Sequence, residues 1–281
     1  MQTINLIGAG RVGQTLGRLW THGRVLTLQD VLTRSGARGQ AACAFMGAGQ
    51  QVTALAGMRS ADLWMLAVPD AHIAATAQAL ALAHAAPSTV FHCSGALGAD
   101  QLAPLAQLGW HTASAHCILS FSEPASAVAQ FAGTPCALEG ESAACEALRA
   151  AFTAIGAQCF ALASEHKLLY HAGAVFATNF VPVLQAVAED AWRTAGVPPA
   201  LLPGLRASLL GNALANITRL GPAGALTGPV ARGDTAAIAR QAQAVTAWDP
   251  ISGAAYEALS ALALRMAKAT TETSATSANS H

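Results

Sequence analysis

The feature that most constrains the fold is the regular alternation of short apolar runs with helix-like segments up to Ser164. Unbroken apolar strands that alternate with helices are typical of a parallel sheet covered on both faces. We therefore predict an α/β domain with a doubly wound, mainly parallel sheet. Its predicted strands are residues 3–7, 25–33, 63–68, 89–93 and 111–117, with two more at 135–138 and 158–162 around a helix at 143–155.

Beyond Ser164 the alternation stops, and the periodicity predicts helices only, at about 165–195, 199–219, 234–247 and 250–268. This change predicts a sheet domain over residues 1–162 and an all-α domain over residues 163–269. The last stretch, residues 270–281, is rich in Ser, Thr and Ala without periodicity, so we expect a disordered tail there.

Charge balance argues against some classes of partner. Fifteen basic and fifteen acidic residues give a formal net charge of zero, so a general attraction to nucleic acid or an anionic membrane is not expected.

Six cysteines without a C-x-x-C pair suggest buried thiols in a reducing cytoplasm, and no metal site. The start of the sequence shows no secretion signal, so we expect a cytoplasmic protein. Residues 168–188 carry no charge over about the length of a membrane span, and we interpret them as a buried helix of a soluble domain.

The first motif with chemical meaning is the glycine triplet Gly8, Gly10 and Gly13, which lies between a predicted strand and a predicted helix. Gly8 permits a tight turn, Gly10 allows the backbone to approach a pyrophosphate, and Gly13 allows close packing of helix on strand. The helix N-terminus adds amide donors and a positive dipole end. A structural strand-to-helix turn is the alternative, but the context favours dinucleotide binding in a Rossmann-like domain.

The end of the second strand indicates which dinucleotide is bound. An NAD-specific site places an acid there, whereas this sequence has Arg34 and Ser35. A guanidinium can pair bidentately with a 2′-phosphate, so we predict NADP(H). Asp30 is the only acid nearby, and an earlier strand end would reverse the preference. Asp70, after the strand at 63–68, is expected to cap the following helix.

Two residues of the predicted helix that begins near residue 165 are candidates for catalysis. Lys167 and His171 are four positions apart and therefore lie on one helix face, with Thr178 near that face and Asn179 beside it. Lysine supplies a positive charge or a proton, and histidine acts as acid or base near neutral pH. The structural alternative is a surface lysine and a core histidine.

A loop rich in Gly and Pro, residues 225–234, is the third motif. Its Arg232 is a candidate ligand for an anionic substrate or for cofactor phosphates. The alternative is a rigid helix connection in which Asp234 caps the next helix.

These motifs together resemble those of a bacterial family of oxidoreductases in which a Rossmann-like NADP-binding domain precedes a helical domain of unknown function. More distantly the sequence is similar to pyrroline-5-carboxylate reductase, ketopantoate reductase and β-hydroxyacid dehydrogenases of the 6-phosphogluconate dehydrogenase-like superfamily. The resemblance is carried by residues 8–13, 67–70, 92–98, 116–121, 170–179 and 225–234.

The resemblance implies an active site between the domains and a homodimer formed through the helical domain. Lys167 matches the lysine of ketopantoate reductase and the hydroxyacid dehydrogenases, whereas His171 stands where they have asparagine. Ser94 matches a substrate-binding loop, and His116 is followed by Cys117 where the family more often has proline. The cofactor-binding residues implied are Gly8, Gly10, Arg11, Val12, Gly13, Arg34, Ser35, Val68 and Pro69.

The sequence therefore predicts an NADP(H)-dependent oxidoreductase that transfers hydride to or from a small carbonyl, imine or hydroxy-acid substrate. Lys167 and His171 are assigned to polarising the substrate and moving its proton, with Ser94, His116, Asn179 and Arg232 as positioning groups. Two alternatives remain: a non-catalytic NADP-binding regulator, and an S-adenosylmethionine-dependent transferase, which Arg34 disfavours.

Overall fold

The computed structural model describes residues 1–84 and 86–278. The chain divides into two compact units, Met1–Ala177 and Thr178–His281. The first unit contains an eight-stranded sheet and the second contains helices, so the predicted fold class is confirmed.

The first unit follows the predicted order of strands and adds a short strand and a helix that the sequence pattern did not reveal, β3 and α2. Its strands are β1 Thr3–Ile7, β2 Thr27–Leu32, β3 Gln50–Val52, β4 Leu63–Leu66, β5 Thr89–His92, β6 His111–Cys117, β7 Pro135–Gly140 and β8 Gln158–Ala161. Its helices are α1 Arg11–His22, α2 Gly36–Met46, α3 Ile73–Ala83, α4 Ala103–Ala106, α5 Pro124–Gln130, α6 Ser142–Thr153 and α7 Lys167–Ala174.

The sheet has the strand order β3-β2-β1-β4-β5-β6-β7-β8. Strands β1 to β6 are parallel, and β7 pairs antiparallel with β6. Because β1 lies between β2 and β4, the chain reverses its direction of winding there, and the carboxyl ends of the strands flank a crevice. Ligands of open α/β sheets bind at such a point.

Aromatic side chains fill the core on both faces of this sheet. On one face Trp20 of α1 packs edge to face on Phe152 of α6, with ring centroids 5.3 Å apart, and on Phe91 of β5. On the other face Trp64 packs on Trp110, with ring centroids 5.9 Å apart. The sheet is therefore buried on both sides, which explains its unbroken apolar strands.

The helical part begins later than predicted. Residues 163–177 belong to the first unit, because α7 is fixed to the sheet by the buried Lys167. A π-helical turn, Val175–Asn179, follows α7. The remaining helices are α8 Phe180–Thr194, α9 Leu202–Gly224, α10 Gly228–Ala231, α11 Thr235–Trp248 and α12 Pro250–Ala278.

The prediction for the end of the chain differs from the structure. Helix α12 continues through residues 270–278, where a disordered tail was predicted, and this Ser/Thr-rich stretch contains no Pro or Gly that would end the helix. Residues 279–281 of that predicted tail lie outside the described residues.

The uncharged segment 168–188 is helical, but it is not buried as predicted. No residue of α8 is buried, and Leu168, Leu169, Phe176 and Val183 are exposed. The helical run Ser164–Thr194 is long and apolar enough to cross a membrane by length and composition alone. This apolar surface is not covered by the described residues of one chain.

Candidate active site

A cleft of about 660 Å³ lies at the carboxyl ends of β1, β2 and β4 in the first unit. Its volume is within the usual range for small-molecule sites. The residues that line it include most of those predicted to bind the cofactor: Gly8, Gly10, Arg34, Ser35, Val68 and Pro69. Two other predicted residues, Arg11 and Val12, begin α1 immediately after the glycine turn.

Each glycine of the triplet has a distinct structural role. Gly8 has a φ of +95°, and a Cβ there would lie 2.5 Å from the carbonyl oxygen of Ala67. At Gly13 a Cβ would lie 3.1 Å from the Cβ of Ala67, so this glycine permits close packing of α1 on the sheet. Gly10 is exposed, and a Cβ there would have no neighbour closer than 3.9 Å. The protein itself therefore leaves space above Gly10.

The amino end of α1 is suited to bind an anion. Gly10 is its N-cap residue, and among the described residues no side chain caps it. The first amide groups of a helix need partners, and together with the helix dipole they favour a phosphate. The turn thus fits a dinucleotide pyrophosphate.

Two arginines and a serine lie at the end of the cleft next to β2. Arg34 and Ser35 follow the strand, and Arg38 in the first turn of α2 lines the same cleft. Ser35 caps α2, with its Oγ accepting from the Arg38 amide at 3.4 Å. Arg38 was not among the residues predicted from the sequence, although its position four residues after Arg34 is a usable signal.

Asp30 is not available to a ribose hydroxyl. Its carboxylate is 1% exposed and accepts hydrogen bonds from the backbone N–H of Arg59, at 2.6 Å, and from the Arg59 guanidinium. Asn5 binds both partners, accepting from the Asp30 amide and donating to the Arg59 carbonyl. Asp30, the acid whose availability would have reversed the predicted cofactor preference, is therefore occupied by Arg59.

Ser94 organises the loop after β5. Its Oγ donates to the Asp70 carboxylate at 2.7 Å and accepts from the amides of Ala96 and Leu97. Asp70 thus holds this loop instead of capping a helix, and α3 begins only at Ile73 without a side-chain cap. Below the loop, His92 accepts the Ser94 amide at Nδ1 and donates from Nε2 to the Gly98 carbonyl.

Lys167 points into the first unit and is 2% exposed. Its Nζ donates to Ser114 Oγ of β6 at 2.6 Å and to the Ser94 carbonyl at 3.2 Å. Burial lowers the pKa of Lys167, and the carboxylate of Glu139 opposes that shift. The ammonium therefore connects α7 to the ends of β5 and β6.

Two histidines converge on Gly95 in the Ser94 loop. His116 of β6 and His171 of α7 have ring centroids 5.7 Å apart. A Cβ on Gly95 would overlap His171 Nδ1 and would lie 2.8 Å from His116 Nε2. His171 Nδ1 is buried and has no hydrogen-bond partner among the described residues.

Tyr170 completes this group. Its hydroxyl lies 2.9 Å from His116 Nδ1 and 3.4 Å from the His116 carbonyl oxygen. Burial, with contributions from His171 and Lys167, lowers the pKa of His116 to about 4, and burial raises the pKa of Tyr170. At neutral pH the imidazole of His116 is therefore uncharged and the tyrosine keeps its proton.

The structure thus brings four of the predicted residues together in the first unit: Ser94, His116, Lys167 and His171. The other two, Asn179 and Arg232, belong to the second unit, where both are exposed. Asp234 caps α11, its carboxylate accepting from the Ala237 amide at 3.0 Å, as one of the two interpretations of that loop expected.

Three polar residues of this group were not predicted from the sequence. Tyr170 directly precedes His171 in a motif already singled out, and Asp70 was noted only as a helix cap. Ser114 lies two residues before His116 and therefore on the same face of β6, but nothing in the sequence distinguishes it from other strand serines. Its hydrogen bond with Lys167 joins residues 53 positions apart in the chain.

Comparison with known families covers both parts of the chain. Residues 2–117 match the family described as a Rossmann-like domain, and residues 134–263 match the one described as a domain of unknown function, DUF2520. Among curated proteins, none matches this sequence significantly.

Several solved structures share the fold. A Thermotoga maritima protein is 22% identical over 95% of this chain and 99% of its own, with a TM-score of 0.76. A Bacteroides fragilis protein, provisionally named an NADP oxidoreductase, is 22% identical over 94% of this chain and 98% of its own, with a TM-score of 0.69. An imine reductase from Myxococcus stipitatus, in complex with NADP+, is 18% identical over 95% of this chain and 94% of its own, with a TM-score of 0.64.

At these identities the likeness establishes the fold, and the family matches identify its two parts. The order of domains that the resemblance implied is thereby confirmed. Residues 2–117 of this chain are thus similar to a Rossmann-like domain, and residues 134–263 are similar to the DUF2520 domain.

Proposed function

We propose that this protein is an NADP(H)-dependent oxidoreductase that transfers hydride to or from a small carbonyl, imine or hydroxy-acid substrate. The observation that carries the proposal is a cleft that combines an uncapped glycine turn with two arginines at the end of β2, on the sheet edge that also holds the histidine pair. Structural neighbours named as NADP oxidoreductase and imine reductase support the same class.

The cleft residues suit NADP(H) in charge and shape. The glycine turn offers amide donors to the pyrophosphate, and Arg34, Ser35 and Arg38 offer donors to a 2′-phosphate. When bound, NADP(H) supplies or accepts the hydride. The residues that would hold the cofactor follow β2, β1 and β4, and the next strands in the sheet, β5 and β6, carry Ser94 and His116 at or after their carboxyl ends.

The protein's own part is to hold the substrate and move its proton. His171, with an unpartnered Nδ1 above Gly95, is the best-placed group for that proton. Ser94 holds the loop that contains Gly95 through its hydrogen bond with Asp70. Lys167 holds the same loop by donating to the Ser94 carbonyl, and it adds a positive charge there. That Asn179 and Arg232 position the substrate stays a prediction from the sequence.

We also propose that the chain forms a cytoplasmic homodimer through its helical part. On α9, Leu210, Leu214 and Ile217 are spaced i, i+4 and i+7 and are all exposed. An apolar stripe of this kind favours association, and most soluble oligomers are symmetric assemblies of one chain.

Cofactor preference is the direct test. Isothermal calorimetry of the full chain should show tighter binding of NADPH than of NADH, with the preference reduced about tenfold or more in Arg34→Ala or Arg38→Ala. Arg240→Ala, which removes an exposed arginine of α11, is the matched control and should bind like the wild type. Equal affinity for both cofactors in the wild type would refute the assignment.

A further inference from the structure

Two imidazole nitrogens, one of His171 and one of His116, lie next to Gly95. His171 Nδ1 is buried and without a partner, and His116 Nε2 faces the same point. A Cβ on Gly95 would overlap His171 Nδ1 and would lie 2.8 Å from His116 Nε2, so the glycine is what allows both nitrogens to approach this loop. The hydrogen-bonding character of this point depends on which nitrogen of His116 carries the proton.

The environment of the other ring nitrogen, His116 Nδ1, indicates which nitrogen carries the proton. Its Nδ1 lies 2.9 Å from the hydroxyl of Tyr170, whereas that hydroxyl is 3.4 Å from the other acceptor within reach, the His116 carbonyl oxygen. The tyrosine proton is therefore best placed on the shorter contact. A neutral imidazole that accepts at Nδ1 must carry its own proton on Nε2.

We propose that Tyr170 is a positioning residue that fixes His116 as the Nε2–H tautomer, so that a hydrogen-bond donor points above Gly95 beside the unpartnered His171 Nδ1. A substrate group bound there accepts a hydrogen bond from His116, as the oxygen or nitrogen of a carbonyl, imine, hydroxyl or amine does. The inference rests on the proposed function where it names this substrate class.

The surroundings of His116 support a neutral ring. Tyr170 contacts it from α7, with ring centroids 5.5 Å apart, and His171 contacts it from the same helix. The nearby charged groups are the Lys167 ammonium, which disfavours protonation of the ring, and the Asp70 carboxylate, which favours it less strongly. Phe160 packs on the tyrosine ring, with centroids 6.1 Å apart, and helps to fix its orientation.

Nuclear magnetic resonance of the full chain with ¹⁵N-labelled histidine tests the tautomer directly. Nine histidines contribute signals, and the absence of one set in His116→Gln assigns His116. The expected wild-type result is a protonated Nε2 and an unprotonated Nδ1. In Tyr170→Phe, which keeps the ring and loses the hydroxyl, the ratio of the two tautomers should shift at least about fivefold, the factor expected for one neutral hydrogen bond.

The matched control is Tyr256→Phe, which removes the hydroxyl of the other tyrosine, bonded at 2.7 Å to Gln241. It should leave the His116 signals unchanged. A wild-type His116 protonated on Nδ1 overturns the proposal without reference to any variant, and so does an unchanged ratio in folded Tyr170→Phe.

NADPH calorimetry on the same samples separates this inference from the proposed function. We expect wild type and Tyr170→Phe to bind NADPH equally, since the hydroxyl binds His116 and does not line the cofactor cleft. Absence of NADPH binding by the wild type would refute the proposed function and the substrate role of the histidine pair. The wrong tautomer with normal NADPH binding would refute this inference alone.

Discussion

At the scale of single residues, the glycines of the turn differ in what the structure requires of them, although the sequence pattern treats them alike. Gly13 is needed for packing, because a Cβ there would lie 3.1 Å from Ala67 Cβ and 3.3 Å from the Gly8 carbonyl oxygen. Gly10 has no such neighbour and a φ of −71°, which any residue can adopt. The fold itself therefore does not require glycine at position 10, and the proposed pyrophosphate is our explanation for the missing side chain.

This difference predicts opposite results for two valine variants. Gly10→Val should keep the melting temperature of the wild type and lose NADPH binding, because the side chain would occupy the space above the turn. Gly13→Val should lose on the order of 1 to 3 kcal/mol of stability through overpacking. Thermal unfolding followed by circular dichroism, with calorimetry of NADPH binding, measures both. A folded Gly10→Val that binds NADPH normally would show that the turn is only structural.

The buried histidine His116 predicts a dependence of stability on pH. Its pKa falls from 6.5 to about 4 on folding, chiefly by burial, so between these values the unfolded chain binds a proton that the folded chain does not. The contribution is fully present above pH 6.5 and is lost as the pH falls towards 4, by on the order of 3 kcal/mol. His92, whose pKa burial also lowers, acts in the same direction.

Urea unfolding at pH 7 and at pH 4.5 measures this loss. In His116→Gln, which keeps a neutral polar side chain, the difference between the two pH values should shrink, whereas the exposed His72→Gln should behave like the wild type. An equal difference in all three proteins would contradict the assignment.

At the scale of elements, α7 is bound to the sheet by one buried side chain. Lys167 joins it to the ends of β5 and β6 through the Ser94 carbonyl and Ser114 Oγ. The following residues Leu168 and Leu169 are exposed, so the helix has few other buried contacts. The position of His171, one turn later, therefore depends on the lysine.

We predict that Lys167→Met loosens α7 and the Ser94 loop without unfolding the protein, because methionine fills the volume but makes neither hydrogen bond. Hydrogen exchange followed by mass spectrometry should show faster exchange in α7 and in residues 94–98, and unchanged exchange in β1 and β4. Leu168→Met, at an exposed neighbour, is the control. Unchanged protection of α7 in Lys167→Met would show that the lysine does not hold the helix.

At the scale of the whole molecule, α8 and α9 expose apolar side chains, and we expect a binding partner to bury them. Leu214 is 65% exposed, and Val183 on α8 is 57% exposed. The proposed partner is a second copy of the chain. A membrane is the competing possibility, because the run Ser164–Thr194 meets the length and hydropathy of a span.

Sedimentation equilibrium distinguishes the two possibilities. The wild type should have twice the chain mass of 28.4 kDa, and Leu214→Asp should shift it towards the monomer, because a charge in an apolar interface is costly to bury. Ser208→Asp adds the same charge on another side of α9 and should remain dimeric. A monomer that floats with phosphatidylcholine vesicles would contradict the dimer and favour the membrane.

The sequence by itself determined the fold class, the order of the predicted strands and the glycine turn. These depend on local properties: side-chain periodicity sets strand or helix, and glycine sets the backbone of a turn. Two predictions from local properties were wrong. The uncharged helical stretch 168–188 was expected to be buried and is largely exposed, and Asp70 was expected to cap a helix and binds Ser94 instead. Short, weakly patterned elements such as β3, stabilised by pairing with β2, gave no local signal.

Tertiary structure alone decided which side chains meet. His116 and Tyr170 are 54 positions apart, Lys167 and Ser94 are 73 apart, and Asp30 is paired with Arg59 instead of facing the cleft. Strand order and helix docking set these contacts, and residue spacing along the chain does not encode them. The sequence could therefore name Lys167 and His171 as candidates, but only the packing of α7 on the sheet shows that the lysine is buried while the histidine faces Gly95 and His116.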